Sequence, residues 1–192
     1  MYFPKNFSEL TLDFLNSVLE KEFNSRIKSF TKGKELEPGF TGKVHRISLV
    51  FTEEKDNLPK SLIIKFQTSN SGVNAFMTKI KGYEKKLKIY KIISNIIELN
   101  LPKIYYTQIN EEGSKYIMVM EDLEERGSVK PDREKPYDVK IFKLIAEYFS
   151  KLQSNFWSKE SQKHIEWIKN NNFGEYMKEF TTYNFDKKRI IF

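Results

Sequence analysis

Three residues near the carboxyl end of the chain have the types and the spacing of a phosphoryl-transfer loop. His164 is followed two residues later by Glu166, and Asn171 follows that acid by five residues. In the pattern H-x-D-x-x-x-x-N, the acid takes the proton of an attacking hydroxyl and the Asn holds a metal ion. Here Glu stands in place of Asp. Whether the match has chemical meaning depends on the elements that would have to position it.

A lysine inside an apolar stretch is the second candidate for chemistry. Lys65 lies in SLIIKF, where an unpaired ammonium group is costly to bury. It either reaches water from the end of a strand or faces a cavity that holds an anion. In kinases the Lys of the third strand neutralises nucleotide phosphates and pairs with a Glu on the following helix. Because Lys65 is on the third predicted strand and just before a predicted helix, we favour the anion.

A glycine-containing connection precedes the second predicted strand, in the stretch EPGFTGKVHR. Gly39 and Gly42 allow the backbone to turn tightly and to bring N–H groups close to phosphate oxygens. Thr41 would add a hydroxyl and Lys43 a positive charge. Two glycines in a hairpin are also ordinary turn chemistry. The sequence leaves both interpretations of this segment open.

Composition narrows the class of protein. The 192 residues include no Cys and two His, which excludes disulfides, thiolate chemistry and a His-rich metal site. The net charge is +7, but the Lys residues are scattered among Glu along most of the chain, which is typical of solvated faces. No apolar run approaches the length of a membrane span, and the amino end lacks the pattern of a signal peptide. We expect a cytoplasmic protein without a membrane partner.

The hydrophobic periodicity predicts an α+β fold. A helix over FSELTLDFLNSVLEKEF, capped by Ser8 or Thr11, precedes three antiparallel strands in 26–68. A helix over 76–99, two strands in 101–123, a polar segment and a helix from Asp138 follow. We therefore predict a five-stranded antiparallel sheet with one inserted helix, followed by helices. The predicted domains are 1–123, a linker at 124–137, and a helical region at 138–192.

The order of these segments resembles the aminoglycoside-phosphotransferase/choline-kinase superfamily, in particular its ecdysteroid-kinase-like (CHK-like) branch. The segments that carry the resemblance are PKSLIIKF, GYEKKLKIYKII, LPKIYYTQ, YIMVMEDL and LIAEYFSKLQSNFW. The resemblance implies a kinase-like small lobe for 1–123 and the start of a large lobe for 138–192. It also implies ATP and magnesium as cofactors, and transfer of phosphate to a hydroxyl of a small molecule.

The resemblance also implies roles for individual residues. Backbone groups of Glu121 and Leu123 would hydrogen-bond adenine, with Met118 and Met120 flanking its pocket. The helix Glu that pairs with the strand Lys usually lies four residues before the Tyr that is Tyr90 here, and Lys86 occupies that position. Glu84 is near, but two residues along a helix place it on another side. The ion pair to Lys65 is therefore absent or formed in a shifted register. The family's His before its FW pair is Gln153 here.

The resemblance finally implies where a catalytic loop falls, which is many tens of residues beyond Trp157. We therefore interpret His164, Glu166 and Asn171 as a coincidence in a helical segment, although Asp186 lies at a tolerable distance for a metal ligand. We expect this chain to lack the catalytic loop and the magnesium ligands, and to be inactive alone.

Two functions remain open at this stage. The first is the nucleotide-binding part of a small-molecule kinase, whose partners are a nucleotide and either the large lobe in trans or a second copy docked on an exposed apolar face. The alternative is a basic, non-catalytic module that contacts a protein or nucleic acid. We do not expect nucleic acid, because no dense basic patch with interleaved aromatics is present. The acceptor substrate is not predicted.

Overall fold

The chain divides into two compact units in a computed structural model, which describes residues 3–36, 39–96, 101–129, 138–157 and 163, with backbone alone for 93–96. One unit comprises Met1–Asn74 and Asn100–Pro136, and the other comprises Ala75–Leu99 and Tyr137–Phe192. The predicted division at 123 and 138 stays a prediction.

The first helix, α1, spans Leu12–Phe23 and follows a short 3-10 turn at Phe7–Glu9. Thr11 is its N-cap, because the Thr11 hydroxyl accepts a hydrogen bond from the Phe14 N–H at 3.2 Å. Of the two predicted caps, Thr11 is therefore the one that starts α1. The helix ends where Asn24 adopts the left-handed conformation.

The sheet has five antiparallel strands in the order β1-β2-β3-β5-β4, and it confirms the predicted α+β fold. Their bounds are β1 Ile27–Glu35, β2 Gly42–Phe51, β3 Ser61–Gln67, β4 Ile104–Ile109 and β5 Tyr116–Glu121. Between β3 and β4 lie two helices, α2 Ser71–Lys79 and α3 Gly82–Ile96, where the sequence predicted one. The difference arises at Lys81, whose φ of 53° is incompatible with a continuous helix.

The register separates the side chains of the sheet into two faces. Val44 pairs with Lys65, and Lys65 pairs with Met118, so these residues share one face, which we call the Lys65 face. The neighbouring pair, Lys43 and Phe66, lies on the opposite face, together with His45. We call this second face the α1 face, since its buried residues form one apolar cluster with those of α1.

The core of the first unit lies between α1 and the α1 face. It is built from aliphatic and aromatic side chains of the helix and of the strands, namely Leu10, Phe14, Leu15, Leu19, Ile27, Ile47, Leu49, Leu62, Ile64, Phe66, Ile117 and Val119. The buried Asn16 amide connects α1 to β1, because it bonds both the N–H (2.8 Å) and the carbonyl (3.0 Å) of Ile27. This arrangement holds β1 against the helix and leaves the Lys65 face outside that cluster.

A 3-10 turn at Leu123–Arg126 follows β5, and Gly127 closes it with a φ of 78°. The predicted polar linker therefore begins as an ordered turn, and its residues 130–137 lie outside the described part of the chain. Helix α4 spans Val139–Asn155 with Asp138 as its N-cap. Many of its apolar side chains are exposed, including Val139, Phe142, Leu144, Ile145 and Phe149. Docking of a partner on such a face stays a prediction. No described helix has the length and apolar character needed to cross a membrane.

Candidate functional site

Lys65 lies on β3, the central strand of the sheet, directly after the apolar residues Leu62–Ile64. Its cross-strand neighbours are Val44 on β2 and the fully buried Met118 on β5. The side chain is mostly buried, although it ends in an ammonium group. The predicted placement on the third strand before a helix is therefore confirmed, and its surroundings on both adjacent strands are apolar.

The charge of Lys65 is not balanced within its own unit. Among the described residues of the first unit, none forms a hydrogen bond or an ion pair with its ammonium group. Desolvation by burial lowers the pKa of the Lys65 ammonium group below its ordinary value of 10.5. A buried cation without a partner destabilises the folded state unless an anion approaches it. This site is thus suited to a ligand that brings negative charge.

The predicted glycine connection forms the turn into β2. Gly39 and Gly42 form an isolated bridge, with Phe40 exposed and Thr41 in the turn between them. At Gly42 a Cβ atom would lie 2.6 Å from the Phe66 carbonyl oxygen and 2.9 Å from the Tyr116 hydroxyl. The close packing of β2 against β3 therefore explains why position 42 is a glycine, independently of any bound phosphate. Phosphate binding by Gly39, Thr41 and Gly42 stays a prediction.

Lys43 was predicted to add a positive charge to the glycine connection, and the register places it on the opposite face of the sheet from Lys65. The Lys43 ammonium lies 3.5 Å from the carboxylate of Glu35 at the end of β1. Since consecutive strand residues alternate in direction, only a change in strand pairing would bring both lysines to one face. The structure therefore does not bring these two predicted site residues together.

The predicted adenine-binding segment lies at the end of β5. The Glu121 N–H donates to the Lys103 carbonyl at 2.8 Å, and the Glu121 carboxylate accepts from the Lys103 N–H at 2.9 Å. Leu123 begins the following 3-10 turn, and its carbonyl accepts from the Ser128 N–H at 3.0 Å. Met118 and Met120 are both buried and pair with Lys65 and Ile63 on β3. The segment is therefore ordered, and it lies on the strand beside Lys65.

An ionic network that the sequence analysis did not identify holds this segment in place. Asp122 is 4% exposed, and its carboxylate accepts from Arg46 Nε at 2.5 Å and from the Ser61 hydroxyl at 2.7 Å. It also accepts from the Glu124 N–H at 3.2 Å and thereby caps the 3-10 turn. Arg46 additionally contacts Glu124 at 2.7 Å. Two features of the sequence could have indicated this network: the acid Asp122 directly after an apolar strand, and Arg46 within the second strand.

Two other groups of predicted residues lie elsewhere in the chain. Glu84 is exposed in the first turn of α3, and Lys86 follows it on the same helix, both in the second unit. Gln153 is exposed near the end of α4. The residues of the loop-like pattern, His164, Glu166 and Asn171, lie outside the described residues, as does Asp186. Their interpretation as a coincidence stays a prediction.

Within the described residues, no group of three or more His, Asp or Glu side chains is arranged to hold a metal ion. The acids near the end of β5 are engaged in ion pairs with Arg46 and Arg126. The lone ammonium of Lys65 does fit an anionic cofactor such as ATP, whereas nothing in the described chain is assigned to magnesium.

A five-stranded antiparallel sheet with helices inserted between β3 and β4 and a lysine on β3 defines a kinase-like small lobe. Comparison with protein families agrees with this class. The chain belongs to the ecdysteroid kinase-like family, whose model matches residues 37–188. No curated protein matches the chain. The predicted resemblance to this branch is therefore confirmed, and the matched region includes β2, β3, β5 and α4.

Proposed function

We propose that the Lys65 face binds the phosphates of ATP, and that this chain is the nucleotide-binding part of a kinase that phosphorylates a hydroxyl of a small molecule. The observation that carries the proposal is the Lys65 ammonium, mostly buried on the central strand with no partner among the described residues of its unit. Phosphate oxygens beside it would offset the cost of its burial. Membership of the ecdysteroid kinase-like family supports ATP as the source of those phosphates.

The adenine ring belongs, in this proposal, at the end of β5. The Glu121 N–H and the Leu123 carbonyl are engaged with Lys103 and Ser128, so we assign the adenine contacts to the Glu121 carbonyl and the Leu123 N–H. Met118 and Met120 supply apolar surface on the same strand as these groups. The bonds from Arg46 and Ser61 to Asp122 keep the segment from moving when the ring enters or leaves.

The chain's contribution to phosphoryl transfer is therefore binding and orientation. ATP supplies the phosphoryl group, and Lys65 holds the phosphate charge in a site that excludes water from its apolar walls. Transfer also requires a group that takes the hydroxyl proton and ligands for a metal ion. We do not assign either role to a described residue.

Thermal unfolding with ATP and magnesium tests the nucleotide site. We expect ATP at about one hundred times its Kd to raise the Tm of the wild-type chain by about 5 °C. Lys65→Met should remove this rise, because it keeps the volume and deletes the charge. Lys28→Met is the matched control, since Lys28 is exposed on β1, and it should respond to ATP as the wild type does. Equal responses of the Lys65 and Lys28 variants would refute the proposed site.

The loop-like pattern has its own test. Glu166→Gln and Asn171→Ala should leave the ATP-dependent rise in Tm unchanged, because we interpret His164, Glu166 and Asn171 as a coincidence. If the chain hydrolyses ATP, both variants should do so at the wild-type rate. A loss of hydrolysis by more than about tenfold in both variants would show that the pattern is catalytic.

A further inference from the structure

A cleft of about 670 Å³ opens in the first unit on the α1 face, opposite Lys65. Its walls come from the amino-terminal segment around Phe7, from the start of β2, and from the end of β3 with the loop that follows. Lys115, just before β5, closes one side. Lys43 and His45 line the cleft from β2, and the strand register places both on the face opposite the Lys65 face. It is therefore a second cavity, with different residues.

The cleft carries an excess of positive charge. Lys5, Lys43 and Lys115 line it, against one acidic residue among its described lining residues, Glu9. Both Glu9 oxygens are engaged, since one accepts from the Lys5 N–H at 2.9 Å and the other from the Asn6 side chain at 2.5 Å. Lys43 contacts Glu35, which is not part of the lining. The ammonium groups of Lys5 and Lys115 form no hydrogen bond or ion pair with a described residue.

A buried histidine in the same cleft has an unused polar atom. His45 is 7% exposed, and its ring stacks on Phe7 with 3.9 Å between centroids and 7° between planes. Its Nδ1 atom is buried and has no hydrogen-bond partner among the described residues. Buried polar atoms of folded proteins nearly always have a partner, and one left without it destabilises the fold. Because this atom is closed to solvent as well, it belongs to the protein interior, and the cleft offers a ligand its lysines.

We propose that this cleft binds a small organic anion, whose phosphate or carboxylate group is held by Lys5, Lys43 and Lys115. Phe7 and His45 also line the cleft, and its volume is that of a typical small-molecule site. The site is independent of the proposed nucleotide site, because Lys65 is not among its lining residues. It therefore gives the protein a second ligand on the other face of the same sheet.

The probes for this site are pyrophosphate and citrate, which separate phosphate from carboxylate recognition. Binding to the full chain is followed by the NMR signals of the imidazole rings, which are simple because His45 and His164 are the two histidines of the chain. We expect one of the probes to shift the His45 signals. Substitutions Lys5→Ala and Lys115→Ala should each weaken that binding by about fivefold or more. Lys28→Ala, an exposed lysine on β1, is the matched control and should have no effect.

The outcomes distinguish this site from the nucleotide site. If Lys65→Met leaves the His45 response intact while it abolishes the response to ATP, both sites exist. If the His45 response persists but ATP has no effect on the wild type, the cleft stands and the nucleotide proposal fails. The cleft proposal is overturned if neither probe shifts the His45 signals, if Lys65→Met removes the shift, or if Lys28→Ala weakens binding as much as Lys115→Ala does.

Discussion

The guanidinium of Arg46 on β2 holds the carboxylate of Asp122 beyond the end of β5, with 2.5 Å between Nε and Oδ2 and 3.2 Å between Nη2 and Oδ1. Burial alone would raise the pKa of the Asp122 carboxyl. Hydrogen bonds from Ser61, from Arg46 and from the Glu124 N–H outweigh burial and lower that pKa below its ordinary value of 3.8. Asp122 is therefore ionised at neutral pH, and the pair fixes the segment that we assign to adenine.

Removal of the cation from this pair should destabilise the protein. We expect Arg46→Ala to lower the free energy of unfolding by about 2–4 kcal/mol, because it leaves the Asp122 carboxylate buried without its main partner. Urea unfolding at neutral pH measures the change. Arg26→Ala is the matched control, since Arg26 is exposed, and it should change little. A double-mutant cycle with Asp122→Ala should give a clear coupling energy, and additive losses would contradict a direct interaction.

Substitution of Lys65 should stabilise the ligand-free protein, whereas substitution of Arg46 should destabilise it. Because the Lys65 ammonium is desolvated without a partner in its unit, Lys65→Met should raise the free energy of unfolding of the ligand-free protein by on the order of 1 kcal/mol. The same variant should no longer respond to ATP, so stability and ligand response change in opposite directions. Chemical denaturation without nucleotide measures the first effect, with Lys28→Met as control. A loss of stability in Lys65→Met would mean that the ammonium already has a stabilising partner.

The two glycines of the turn before β2 should differ in their tolerance of a side chain. Gly42→Ala places a Cβ 2.6 Å from the Phe66 carbonyl oxygen, so β2 and β3 must move apart, at a cost of about 2 kcal/mol. Gly39→Ala has its nearest atom at 3.6 Å, an ordinary contact, and should be tolerated. Thermal unfolding of the two variants checks this difference. Similar losses in both would contradict the close approach at Gly42.

The buried imidazole of His45 should make stability depend on pH. Burial lowers the pKa of His45 below its ordinary value of 6.5, and the nearby Lys43 lowers it further, whereas Glu35 acts in the opposite direction. The unfolded chain therefore binds a proton at a higher pH than the folded chain does. Stability from the neutral ring is complete above the unfolded pKa and is lost as the pH falls below 6.5 through the folded pKa.

Substitution separates this contribution from those of other groups. We expect His45→Gln to reduce the loss of stability between about pH 7.5 and pH 5, because Gln does not titrate in that range. Urea unfolding of the variant and of the wild type over this range measures the difference. A wild-type slope in the His45 variant would assign the dependence to other residues.

Much of the fold could be predicted because it is encoded locally. Alternation of apolar residues in 43–51 and a short apolar run in 61–68 are enough to indicate strands, and the hydroxyl of Thr11 before an apolar periodic stretch is enough to indicate a helix start. The break at Lys81 was not predicted, because a single residue with positive φ leaves no trace in hydrophobic spacing. The position of Lys65 on the third strand followed from the order of elements alone.

What the sequence by itself determined is therefore the kinds of elements, their order and the family, since these depend on spacing along the chain. Only the tertiary structure decided which residues meet. It placed Lys43 on the opposite face from Lys65, because the two lie out of phase in an antiparallel register. It also joined Arg46 to Asp122, which are 76 residues apart, and His45 to Phe7. Such contacts depend on strand pairing and helix packing over long separations, and no local pattern specifies them.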